Sequence, residues 1–131
     1  CAVAGLQVVM VDVSDAAVAK GLAAVSGSLD RLLKKEKITD ADKAAALSRI
    51  KGSTAYDDLK AAQIVIEAAT ENYELKLNIL RQADALLAPE VILASNTSSI
   101  SITKLAAATS RADRFIGMHF FNPVPMMALV E

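Results

Sequence analysis

The sequence has one histidine, His119, one cysteine, Cys1, and no apolar run near the roughly 18–20 residues that a bilayer span requires. Each scarcity excludes something. A lone cysteine allows neither an internal disulfide nor a thiolate metal cage, in keeping with a reducing compartment, and Cys1 itself reads as a small buried apolar residue. No ligand cluster calls for a metal, and no Cys–His pair or carboxylate dyad offers a competing chemistry. The opening CAVAGLQVVMVD lacks the basic stretch of a signal peptide, so the expectation is a cytoplasmic protein with no membrane partner. Fourteen Lys and Arg against fifteen Asp and Glu give a net charge of −1, without the basic footprint of a nucleic-acid binder. What is present is globular: 131 residues, 53% hydrophobic and 22% charged, one domain's worth of chain able to bury a core.

Gln7 to Asp12 is a continuous apolar run closed by an acid, the pattern of a parallel strand buried on both faces. Asp12 at its tip is either a loop acid or, as in dinucleotide-binding folds, the acceptor for a ribose diol that also repels a 2′-phosphate. Ser14 is an N-cap, and Val18, Leu22, Val25, Leu29 and Leu32 form one stripe of a helix reaching about Lys35. The basic run Arg31, Lys34, Lys35 and Lys37 is a solvated helix end or a contact for nucleotide phosphates. Thr39 caps a second helix running to about Ile50, with Ala41, Ala44, Ala45 and Ile50 inward. A short strand at 51–54 and a turn at 56–60 follow. Ile64 to Ala69 is a second buried strand, and the helix after Thr70-Glu71-Asn72 shows an apolar face of Leu75, Ile79, Ala83 and Leu86. Glu67 reads as structural. Val91 to Ala94 is a further strand, leading into Ser95–Ile102, where six small polar residues in eight suit a ligand-facing loop better than a core. Ser99 and Ser101 are assigned to helix capping.

Phe115 to Met118 is the last buried strand, and Pro123 and Pro125 stop it soon after His119. His119 thus falls at the C-terminal end of a strand, where open α/β sheets place their ligand crevice. An imidazole there exchanges protons near neutral pH if a neighbour fixes its tautomer. Glu131, beyond the Pro-x-Pro turn, is the candidate neighbour. The competing reading is a histidine satisfied by core hydrogen bonds.

Three blocks taken together, HFFNPVPMMALVE at 119–131, IVIEAATENYELK at 64–76 and SNTSSISI at 95–102, resemble the nucleotide-binding domain of short-chain 3-hydroxyacyl-CoA dehydrogenases, most closely the bacterial 3-hydroxybutyryl-CoA dehydrogenases. The likeness runs over essentially the whole chain. It implies an α/β fold of Rossmann type, with a doubly wound, mainly parallel sheet. Its first strand and Gly-rich loop are absent from these residues, so residues 1–131 are expected to be a partial NAD-binding domain, without the helical substrate and dimerisation domain that follows in the family. Strands 7–12 and 64–69 would flank that missing strand at roughly 9–10 Å, two strand spacings. Such a chain alone is expected to aggregate and to be inactive.

The resemblance implies hydride transfer between NAD and C3 of a short-chain 3-hydroxyacyl-CoA, in fatty-acid or butanoate metabolism, by a full-length protein that pairs as a homodimer. His119 is the base, Glu131 its orienting carboxylate, and Ser98 and Asn122 the groups on the C3 oxygen. On the cofactor side stand Asp12 at the adenosine ribose, Asn96 and Ser98 by the nicotinamide end, Lys76 near the adenosine end unless it is a solvated helix lysine, and Glu71. Glu71 also matches an acid that meets the substrate domain on closure. Gln63 departs from the Asp usual in the family. Two other readings stay open. One is the dehydrogenase module of a multifunctional fatty-acid oxidation protein. The other is a non-enzymatic structural relative, against which the joint presence of His119, Glu131, Ser98 and Asn122 argues.

Overall fold

In the computed structural model, which describes residues 1–131, the strand and helix patterns resolve into two units, Cys1–Asp58 and Leu59–Glu131. In the first, strand β1 (Val8–Val11) leads into helix α1 (Asp15–Lys34), helix α2 (Asp40–Ser48) and strand β2 (Ile50–Ser53). β1 and β2 pair in parallel with Val8 opposite Ile50 and Val11 opposite Ser53, as the connecting helices require. Ser14 caps α1 by accepting from the Ala17 amide, and the expected stripe is inward, with Val18, Leu29 and Leu32 buried. α1 also lies so close to β2 that a Cβ at Gly52 would come within 2.4 Å of a Val18 methyl carbon, so only glycine fits there.

α2 begins with a full capping box. Thr39 Oγ1 accepts from the Asp42 amide while Asp42 accepts from the Thr39 amide. Its inward face differs from the expected one. Ala46 is fully buried with Leu29 and Leu32, Ala41 and Ala44 are exposed, and Ile50 belongs to β2. A helix this rich in alanine has no contrast of side-chain size from which to read a face. Cys1, expected to be buried, is exposed.

In the second unit, strands β3 (Ile64–Glu67), β4 (Ile92–Ser95) and β5 (Phe115–Gly117) form an all-parallel sheet in sequence order, linked through helix α3 (Tyr73–Leu86) and the short helix α4 (Ile102–Ala106). The strands form two parallel sheets, β1-β2 and β3-β4-β5, with no ladder between β1 and β3. α3 and α4 close over Leu77, Leu80 and Leu105, with Ile100, Ala108 and Phe115 against them. α3 is capped by Asn72, whose side chain accepts from the Leu75 amide, and it is rotated from the expected face: Lys76, Leu77, Leu80 and Ala83 are buried while Leu75 is exposed. A buried lysine explains the difference, because it occupies an inward position that an apolar pattern skips.

At the far end of α3 the guanidinium of Arg111 is buried. It donates to the carbonyls of Asp84, Leu87, Ala88 and Val91 and, through Nε, to the Asp84 carboxylate at 2.5 Å. Helix carbonyls that would otherwise lack partners are thereby satisfied by a single side chain. No helix of the chain is long and apolar enough to cross a membrane.

Candidate active site

All the polar residues singled out near the strand ends of the second unit lie at the C-terminal edge of β3-β4-β5, the edge at which parallel sheets bind ligands. β5 ends at Gly117, and two residues on, His119 is locked to Glu131 by backbone hydrogen bonds in both directions, His119 N to Glu131 O at 2.8 Å and Glu131 N to His119 O at 3.0 Å. An antiparallel bridge between Phe120 and Val130 continues the contact. The turn at 122–127 thus brings the chain back antiparallel to the histidine segment, and the two side chains meet. His119 Nδ1 lies 3.4 Å from Glu131 Oε2, with the imidazole largely covered and the carboxylate open to solvent. That spacing is long for a hydrogen bond, as is common for catalytic contacts without substrate. With Nδ1–H directed at the carboxylate, Nε2 keeps its lone pair for a substrate proton. The Phe121 ring stands 4.7 Å from the imidazole at a tilt of 54° and limits its rotation.

The loop after β4 is tied to this segment. Met118 N donates to Ser95 O at 2.9 Å, and Phe120 N donates to the Asn96 side-chain oxygen at 2.8 Å, so the backbone on either side of His119 hangs from consecutive residues of the loop. The Asn96 amide nitrogen is left available. Ser98 is exposed, and its hydroxyl makes no hydrogen bond within the chain; Asn122 is likewise exposed, with an unengaged side chain.

Beneath the loop the structure shows what engages Lys76 and Ser99 within the chain. Lys76, expected beside the adenosine end of a cofactor, is only 1% exposed, and its ammonium donates to Glu67 Oε1 at 2.9 Å, Glu67 Oε2 at 3.0 Å and the Ala69 carbonyl at 2.9 Å. Its three protons are directed at these acceptors, so within the chain it ties the start of α3 to the end of β3. Glu67 also accepts from the Ser95 hydroxyl at 2.6 Å and the Ala69 amide at 2.6 Å, which joins the ends of β3 and β4 to α3. Ser99, expected to serve as a cap, instead donates its hydroxyl to Glu71 at 2.9 Å.

Glu71 accepts from Thr97 and Ser99 and lies 3.5 Å from the Lys76 ammonium. The Thr97 hydroxyl foremost, helped by Ser99 and Lys76 against some desolvation, holds its carboxyl at about 2, down from 4.5. A carboxyl lowered on folding contributes stability that is complete above about 4.5 and disappears as pH falls to about 2. Glu71→Gln is therefore expected to flatten the acid limb of a stability–pH curve in that window. Urea midpoints measured across it would show the change, and an acid limb as steep as that of the wild type would contradict it.

In the first unit, Asp12 follows β1 directly. It is exposed, one carboxylate oxygen accepts from the Val13 amide at 2.7 Å, and no cation pairs with it. An unpaired acid held at the tip of a parallel strand fits the acceptor that a ribose diol needs.

In each unit parallel strands are joined by helices, with polar residues at the strands' C-terminal tips, an α/β arrangement of Rossmann type. The profile of the family described as 3-hydroxyacyl-CoA dehydrogenase, NAD binding domain, matches residues 1–131 in full, and the chain belongs to that family. Over 99% of its length it is 51% identical to a 3-hydroxybutyryl-CoA dehydrogenase of Bradyrhizobium diazoefficiens, and over 97% it is 43% identical to a fatty acid oxidation complex subunit alpha of Acinetobacter baylyi. The crystal structure of (S)-3-hydroxybutyryl-CoA dehydrogenase from Ralstonia eutropha superposes on 99% of the chain with a TM-score of 0.96 at 77% identity. The chain spans 44% of the Bradyrhizobium protein, 18% of the Acinetobacter one and 46% of the Ralstonia chain.

Proposed function

We propose that the protein carrying this chain transfers hydride reversibly between C3 of a short-chain 3-hydroxyacyl-CoA, 3-hydroxybutyryl-CoA foremost, and NAD. The observation that carries this reading is the doubly hydrogen-bonded pairing of His119 with Glu131 at the end of β5, which sets a carboxylate against Nδ1 and leaves Nε2 free. Bound NAD supplies the redox chemistry, taking up hydride at C4 of the nicotinamide. The chain's own side chains supply binding, orientation and a proton path.

Nε2 of His119 takes the C3 hydroxyl proton during oxidation and returns it during reduction. Glu131 keeps the imidazole in the required tautomer and stabilises its cationic form, which is carboxylate–histidine logic without a nucleophile. The unengaged Ser98 hydroxyl and Asn122 amide donate to the C3 oxygen, each such donor contributing about 2–4 kcal/mol where charge develops. Asn96 presents its amide nitrogen to the nicotinamide ribose, and Asp12 accepts from the adenosine ribose diol. The buried Glu67–Lys76 pair and Glu71 hold the loop on which Ser98 and Asn96 sit.

The complete gene product should reduce NAD with (S)-3-hydroxybutyryl-CoA and use NADP poorly. Asp12→Ala tests the cofactor assignment. It should weaken NAD binding and narrow the preference over NADP, because the acid both binds the diol and repels a 2′-phosphate. Fluorescence titration with both reduced cofactors reads this directly, and an unchanged NADH affinity would return Asp12 to the role of a loop residue. The chain is also similar to a fatty acid oxidation complex subunit alpha, and a multifunctional parent would change the company this domain keeps and leave the assigned roles intact.

A further inference from the structure

Of the five consecutive polar residues Ser95 to Ser99, four are fastened and one is not. The Ser95 hydroxyl is on Glu67, the Asn96 oxygen is on the Phe120 amide, and the Thr97 and Ser99 hydroxyls are on Glu71, while Ser98 makes no bond within the chain. Thr97 is the hub of this arrangement. Its hydroxyl is buried, donates to Glu71, and accepts from the Ile100 amide at 3.0 Å and the Ser99 amide at 3.3 Å. The one proton and both lone pairs of that oxygen are in use, so Thr97, which precedes Ser98, is tied to the two residues that follow it and to Glu71 outside the loop. Glu71 in turn is backed by Lys76, whose ammonium rests on Glu67, so the clasp is anchored in the buried frame at the ends of β3 and β4.

We propose that Thr97 is a positioning residue for the reaction: by clasping Glu71 and the backbone of residues 99 and 100, its hydroxyl fixes the loop on both sides of Ser98 and aims the Ser98 hydroxyl at the C3 oxygen. The inference rests on the proposed hydride transfer and on the role of Ser98 in it. It assigns a function to a buried threonine whose hydroxyl is spent on contacts within the chain. A hydrogen-bond donor displaced by about 1 Å from a developing charge can lose 10²-fold in rate, so the clasp should matter most to turnover.

Thr97→Val removes the hydroxyl while keeping the shape of the side chain. In the complete gene product it should lower kcat by about 10- to 100-fold and leave KM for NADH and for acetoacetyl-CoA close to wild type, since the aimed donor acts in the transition state. Thr97→Ser, which restores the hydroxyl, should restore kcat. The double variant T97V/S98A should be no slower than S98A, because Thr97 acts through Ser98 and has nothing left to aim. If T97V fails to fold, Ser99→Ala, which removes the second hydroxyl from Glu71, should show a smaller loss of the same form. Wild-type kcat in T97V or, in its place, in S99A, or a further loss of equal size when T97V is added to S98A, overturns the clasp. Wild-type turnover in S98A overturns the assignment of Ser98 itself, an outcome distinct from S98A losing turnover while T97V keeps it, which sinks the clasp alone.

Discussion

His119→Gln should abolish nearly all turnover, by about 10²–10⁴-fold in kcat, while NADH binding stays as in the wild type. Glutamine keeps the size and a hydrogen-bonding end but cannot carry a proton away, so the variant separates acid–base work from packing. The geometry makes the loss specific. The imidazole is largely covered, stands beside Phe121, and has its Nδ1 directed at Glu131, so no other titratable side chain is placed to take over Nε2. Glu131→Gln should fall in the same direction by a smaller factor, because an amide can still orient the ring through its oxygen but cannot stabilise the imidazolium. Steady-state rates with acetoacetyl-CoA and NADH measure both. Wild-type kcat in His119→Gln would remove His119 from the mechanism.

Lys76→Met should destabilise the fold by about 3–5 kcal/mol, because it leaves the Glu67 carboxylate buried without its cation. Both side chains are 1% exposed, and the Ser95 hydroxyl and Ala69 amide on Glu67 cannot replace a full positive charge. The double variant E67Q/K76M should recover most of that loss, since removing both charges avoids the penalty that removing one creates. A urea midpoint for Lys76→Met equal to that of the wild type would mean that the pair is hydrated. Equal loss in single and double variants would mean that packing of the lysine stem, rather than charge, accounts for the effect.

Local pattern made α1 and the strands legible. The stripe from Val18 to Leu32 and the Ser14 cap are where spacing puts them, and β1, β3, β4 and β5 fall within the apolar runs to within a residue or two. Local pattern failed where a distant partner decides. Lys76 faces inward because Glu67, on β3, neutralises it, and this turns the buried face of α3 away from Leu75. Ser99 bonds to Glu71, 28 residues earlier, where a nearby helix start suggested capping. Thr97 carries no signal of its own in a loop of small polar residues. A signal for the pair does lie in the sequence: Glu67 sits inside the apolar run Ile64–Ala69, and a buried acid needs a cation, which Lys76, nine residues later, supplies.

The approach of Glu131 to His119 was legible as a proposal, from two residues flanking one proline-rich turn. Its cause was not, because the paired backbone hydrogen bonds that impose it form only when Phe120 meets Val130.

The central claim is a hydride moved from C3 of a 3-hydroxyacyl-CoA to NAD, and isotope transfer tests it most directly. (S)-3-Hydroxybutyryl-CoA deuterated at C3 should be incubated with NAD and the complete gene product, and the reduced cofactor analysed by mass spectrometry. The account predicts one deuterium in the NADH, carried at C4 of the nicotinamide, with acetoacetyl-CoA formed in equal amount. Reduced cofactor without the label, or no reduction by a folded protein that binds NADH, would contradict it.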